Sequence, residues 1–222
     1  MNVSREDVLA WLERERVCEW AVDWFRRSGL SFEDAWTARE MSGWLLLVAS
    51  RAGVPGSVLR LCACDIAESV LHYVPEGEER PRRAIEVARR YAAGEATVAE
   101  LDNAIDDARY ATMSAASMQA THAGAPRSAA WSATRAAWKA AAMDDPWEAV
   151  LAAARDATRD AARLKAWKAA GDDAWTIAGD YAAHDAMVDA ENTWCRLIRT
   201  RIPADVVLGL LAEKLREETH DA

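Results

Sequence analysis

The chain has 222 residues, 51% of them hydrophobic, and a formal net charge of −9 at pH 7. That is length for one large domain or two small ones, with apolar content enough for a real core. The acidic balance lacks the basic footprint that nonspecific nucleic-acid binding needs, and four cysteines in a chain this long do not make a disulfide scaffold.

The acid excess is spread along the chain: 20 acids face 14 bases up to Tyr110, and 16 face 13 after it. Such a balance keeps a protein soluble and also suits docking onto a basic partner. Charges begin at Arg5, and no apolar run fits a signal peptide. The longest apolar run, Trp44 to Ala49, is too short to span a bilayer. The expectation is a cytoplasmic protein without membrane contact.

No β-branched run alternates with polar residues, so no strand is predicted. A first helical region covers about Arg5 to Arg27 and stops at Gly29. Ser31 to Asp34 resembles a capping box and opens a second helix that ends near Gly53. After the Pro55-Gly56 turn, a third covers Val58 to about Tyr73, with Leu59, Cys62, Ile66, Val70 and Tyr73 on one face. Cys62 and Cys64 would point about 200° apart on that helix, unsuited to a shared metal or disulfide. Cys18 and Cys195 read as small core hydrophobes.

Pro81 suits the first position of a fourth helix and Gly94 its C′ stop. Thr97 to Glu100 forms a further capping box, opening a helix with Val98, Leu101, Ile105, Ala108, Thr112 and Ala115 on one face. Pro126 opens a sixth helix. Asp145-Pro146 caps a seventh, which stops at Gly171; an eighth covers about Asp173 to Arg199, and Pro203 opens the last. The prediction is thus an all-α fold, a single multi-helix bundle of about nine helices over 1–222, with an N-terminal helical extension (1–54) packed on an Ala-rich core (55–222). Over a third of residues 125–190 are alanine, which favours helix and lets helix axes approach closely. Tryptophans at intervals, among them Trp138, Trp147 and Trp194, supply bulk.

Two constellations could carry function. The eighth helix has Ile177, Tyr181, His184, Val188, Glu191, Cys195 and Ile198 on one stripe, which places His184 and Glu191 on an apolar face. Gln119 and His122 fall on the apolar face of the fifth. Buried polar groups must find partners, so these four form a polar pocket or a satisfied core network, or sit at helix ends that reach water. Asp180 and His184 are four apart, as helical metal ligands can be, but no second pair at such spacing joins them. No phosphate loop or nucleophile elbow occurs. No catalytic residue, metal site or cofactor is assigned.

The second constellation is CDIAESVLHYVPEGEERPRRAIEVARRYAAGE, Cys64 to Glu95. Arg82 and Arg83 can each pair with Glu86 along the helix. Arg82, Arg83 and Arg89 can instead face acids such as Asp65 and Glu68 of the preceding helix. If they do not, arginine forks suit an anionic ligand or an acidic patch on a partner.

This passage resembles the signature of the immunity proteins linked to bacterial polymorphic toxins, the class numbered five in that nomenclature. Three places carry the resemblance. The first is Cys64-Asp65, the acidic turn Glu76 to Glu79 and Arg80 to Glu86. The second is the alanine-rich run from about Ala104 to Ala190. The third is Glu191-Asn-Thr-Trp194 leading to the Pro-containing helix Pro203 to Leu211. They span about Leu59 to Leu211. The resemblance implies a cytoplasmic protein that binds and neutralises a toxin or effector protein without catalysis, and it brings no catalytic residues. A phage or mobile-element inhibitor of a host factor would dock in the same way. The alternative from another class is a small-ligand-binding or catalytic helical domain with a His/Glu/Arg pocket.

Overall fold

The structure is a computed structural model that describes residues 3–38, 41–121, 125–142, 147–170 and 177–220, without the side chains of 114–121, 125–128, 130, 131, 164, 167–170, 177, 178 and 218–220. The described residues form eleven α-helices and one 3-10 turn, with no strand among them. In chain order they are α1 (Arg5–Arg14), α2 (Glu19–Ser28), α3 (Phe32–Ala38), α4 (Ser42–Ala52), α5 (Gly56–Ser69), the 3-10 turn Leu71–Tyr73, α6 (Arg80–Ala92), α7 (Val98–Thr121), α8 (Ala125–Ala142), α9 (Glu148–Ala170), α10 (Ile177–Arg201) and α11 (Ala204–His220).

The all-α class holds, and the helix count of about nine is too low. The first predicted region is two helices because the chain turns at Arg16, the one non-glycine residue with positive φ (51°) among the described residues. There the amide of Val17 donates to the Leu12 carbonyl and that of Arg16 to Glu13, both at 3.1 Å. That is a Schellman closure, with buried Val17 and Leu12 as its apolar pair. Glycine normally marks this turn, and its absence hid the break. The second region also divides, into α3 and α4. Other stops carry glycine as expected: Gly53 and Gly94 have φ of 98° and 76° and close α4 and α6 in the same way. The Thr97 box forms, with the Glu100 amide donating to Thr97 Oγ1 at 3.2 Å and the Thr97 amide to Glu100 Oε2 at 2.8 Å. Asp34 donates its amide to Ser31 Oγ at 3.1 Å. The expected cap at Asp145-Pro146 and the stop at Gly171 lie outside the described residues.

The chain divides into two compact units. One comprises Met1–Leu59 with Cys195–Ala222, so the last helix groups with the N-terminal ones rather than with the Ala-rich helices. Its core holds Trp11, Phe25, Trp36, Trp44, Ile198 and Leu211. Phe32, Trp36 and Trp44 form a chain of ring contacts, Trp36 lying 5.6 Å from Phe32 and 5.9 Å from Trp44 between centroids. Arg5 closes the end of α2: Nη2 donates to the Phe25 and Arg26 carbonyls at 2.8 and 3.0 Å, and Nε to Leu30 at 3.1 Å. These carbonyls have no partner within the helix. Cys18 is exposed at the start of α2 rather than in the core.

The second unit, Arg60–Trp194, is the Ala-rich part. α8 packs closely on both α7 and α9. The buried residues of α8 are nearly all small: Ala129, Ser132, Ala133, Thr134, Ala136, Ala137, Ala140 and Ala141. Those of α9 include Val150, Leu151, Ala153, Ala154, Ala157 and Thr158. Small side chains at the contact let helix axes come near the lower end of the usual range of about 8–10 Å. Arg135 to Asp156 (2.9 Å) ties α8 to α9, and Arg163 to Asp180 (2.8 Å) ties α9 to α10.

Candidate functional site

The segment Cys64 to Glu95 spans the end of α5, the 3-10 turn, an acidic turn and α6. On α5 the face Leu59, Cys62, Ile66 and Val70 is buried, and so is Cys64, which points the other way. Pro81 sits at the second position of α6, where it needs no helical amide partner. Ala84, Ile85, Val87 and Ala88 bury the inner face of that helix. Its arginines therefore lie toward the flank shared with α5 or toward solvent.

The arginines are largely engaged within the unit. Arg89 Nη2 contacts Asp65 Oδ1 at 2.7 Å and Glu68 Oε2 at 2.5 Å, joining α6 to α5. Burial works against the charge on Arg89, but hydrogen bonds and attraction from Glu68 and Asp65 outweigh it and hold the guanidinium charged. Arg80 grips Glu78 with two nitrogens, Nε at 2.7 Å from Oε1. The hydrogen bond from Arg80 lowers the carboxyl of Glu78 below its ordinary value.

Arg82 lies 3.8 Å from Glu79 and 4.0 Å from Glu68. The expected pairing of Arg82 with Glu86 is not formed. Helical side chains tilt toward the N-terminus, so Arg82 leads back to Glu79 rather than forward to Glu86. Arg83 and Glu86 are exposed and enter no ion pair among the described residues. Glu76 and Glu95 are likewise exposed and unpaired. The segment thus presents Glu76, Glu86 and Glu95 against Arg83 as unneutralised charge.

The proposed polar pocket is not assembled from the residues that can be placed. His184 is exposed, as is Tyr181 beside it at 70%. Glu191 lies two turns further on, about 10 Å along the axis. It accepts from Arg155 of α9, Nε at 2.7 Å. Gln119's side chain and all of His122 lie outside what the structure describes. Asp180 is engaged with Arg163, and no group of three His, Cys, Asp or Glu among the described residues could hold a metal ion. No helix among them is long and apolar enough to cross a membrane.

Two cavities flank the 3-10 turn, and His72 lines both. The smaller, about 200 Å³, lies over the acidic turn and is lined by Glu76, Glu78, Glu79 and Arg82 among others. The larger, about 290 Å³, is lined by Ser69, His72, Tyr73, Thr158, Asp189 and Trp194 among others. The rings of His72 and Tyr73 are 3.9 Å apart. Burial raises the Tyr73 phenol above its ordinary value. The larger cavity escaped the sequence reading because its lining comes from α5, α9 and α10 and the turn, at spacings no single helix period reveals. His72 carried the only local signal, a histidine where α5 gives way to the turn.

A scan against protein-family models finds no match for this chain, and searches of curated proteins and of solved structures find none either.

Proposed function

We propose that the chain is a non-catalytic binding protein of the immunity type, which neutralises a basic toxin or effector protein by docking an acidic surface onto it. The observation that carries this reading is the charge state of the Cys64–Glu95 segment. Arg80, Arg82 and Arg89 face acids of their own unit, leaving Glu76, Glu86 and Glu95 exposed against the single cation of Arg83. An anion-binding role for the arginines would require their forks to be open. With Arg80 and Arg89 held in hydrogen-bonded pairs and Arg82 beside Glu79 and Glu68, the segment offers mainly carboxylates, in keeping with the net charge of −9. Complementary charge of this kind speeds encounter and selects partners.

The test is co-expression with the protein encoded beside it, which this reading expects to be the toxin. The chain should copurify with that toxin in fixed stoichiometry and rescue cells that express it. Neither copurification nor rescue would end the proposal.

A further inference from the structure

Three polar groups in the lining of the larger cavity, Ser69, Thr158 and Asp189, offer acceptors to a visitor. Ser69 Oγ donates its proton to the Ile66 carbonyl at 2.6 Å, and Thr158 Oγ1 donates to Ala154 at 3.0 Å. Each hydroxyl has one proton, so both oxygens retain only lone pairs for a visitor. The indole N–H of Trp194, a donor that could have faced the cavity, is engaged by Ser69 Oγ at 2.9 Å. Asp189, exposed at the rim, is an acceptor carrying a full negative charge. The lining also includes the Tyr73 and His72 rings, the Thr193 hydroxyl, small apolar residues such as Ala186, and the edge of the buried Trp194.

Acceptors, one carboxylate and aromatic faces are complementary to a donor-rich, planar cation. The volume, about 290 Å³, lies at the bottom of the range of about 300–1,000 Å³ typical of small-molecule sites. A single side-chain-sized group fits better than a nucleotide or a larger cofactor.

We propose that this cavity binds a guanidinium group, seated against the Tyr73 ring and facing the Asp189 carboxylate and the Ser69 and Thr158 oxygens. The guanidinium can come from a small molecule or from an arginine of a protein partner. The site stands on its own lining and does not require the immunity reading. If that reading also holds, the cavity takes an arginine side chain of the toxin.

The test is a titration of the full chain with N-acetyl-arginine amide, followed through the indole N–H resonance of Trp194, with N-acetyl-citrulline amide as the neutral isostere. Saturable binding in roughly the millimolar range is expected for one anchored group, at least about tenfold tighter than the citrulline probe. Asp189→Asn, at an exposed position, should weaken the arginine probe about tenfold, and Ala186→Leu, which fills the cavity, should abolish binding. Glu217→Gln, an exposed acid that does not line it, should change nothing. Equal response to the two probes, unchanged binding in Asp189→Asn, or a silent Trp194 resonance would each overturn the proposal. Agmatine and a short peptide with one internal arginine separate the two sources. Binding of both or of either supports the site, and binding of the peptide alone assigns the cation to a protein. Because the probes contain no toxin, their failure would leave the immunity reading standing, and failed copurification would leave the cavity standing.

Discussion

Arg89 of α6 reaches Asp65 of α5 at 2.7 Å, and that carboxylate's side chain is only 12% exposed. With Glu68 as second partner, this contact turns the most function-like part of the sequence into a joint between two helices. Replacing Arg89 by Ala would remove this cation from a poorly hydrated carboxylate. A loss of about 1–3 kcal/mol is expected, read from chemical denaturation. Arg83→Ala, at an exposed and unpaired neighbour, should stay within about 0.5 kcal/mol of wild type. The contrast separates architecture from recognition along a single helix.

Arg16 offers a test on the backbone. Its φ of 51° costs an ordinary residue about 1–2 kcal/mol, while glycine costs nothing there but gains about 0.5–1 kcal/mol of freedom in the unfolded chain. Arg16→Gly should therefore raise stability by about 0.5–1 kcal/mol, and Arg16→Val should lower it. The measurement is the midpoint of urea unfolding for the three proteins.

Trp36 serves two roles in the unit that contains it. Its ring stacks on Phe32, and its Nε1 donates to the Ile202 carbonyl at 3.2 Å, just past the end of α10, while Arg199 Nε donates to the Trp36 carbonyl at 2.8 Å. Trp36→Phe keeps a ring but removes the donor from a buried carbonyl. A loss of about 1–3 kcal/mol is expected, with a lower melting temperature as the readout.

Three carboxyls are held below their ordinary values: Asp7 by the side chain and amide of Ser4, Glu78 by Arg80, and Glu100 by the amide and side chain of Thr97. A depressed carboxyl in the folded state contributes stability that is present above its unfolded value and lost as pH falls through its folded value. Stability should therefore hold from neutrality down to the ordinary carboxylate range near pH ~4 and fall below it. The fall should be shallower in Asp7→Asn and Glu100→Gln, which no longer bind that proton. Thermal melts across pH 2–7 would check the sign.

Much of the fold was legible because capping chemistry is local. The Ser31 and Thr97 caps and the Gly53 and Gly94 stops need only residues a turn apart. The break at Arg16 was hidden because the left-handed position carries arginine. On α10 the expected stripe holds at Cys195 and Ile198, which are buried, and fails toward the N-terminus for a physical reason: bulky apolar residues were counted as the inner face there. In an Ala-rich unit the close contacts belong to small residues, and Gly179 and Ala183 are buried while Tyr181 and Val188 stand 70% and 44% exposed. His184 travels outward with them. On α7 the expected stripe holds at Leu101, Ala108 and Thr112, which are buried, while Val98 at its start is exposed. The larger cavity could not be read at all, since Ser69, Thr158 and Asp189 meet only through packing.

The most direct measurement of the central claim is the affinity of the chain for the protein encoded beside it, which the proposal expects to be its toxin, compared between wild type and the double variant Glu76→Lys, Glu86→Lys. Both side chains are exposed, so the fold should tolerate the change. If an acidic surface does the docking, wild type forms a stoichiometric complex, and the variant loses at least about tenfold in affinity, mostly through slower association at low salt, with its melting temperature unchanged. A variant that binds as tightly as wild type, or a wild type that does not bind the toxin, would contradict the account.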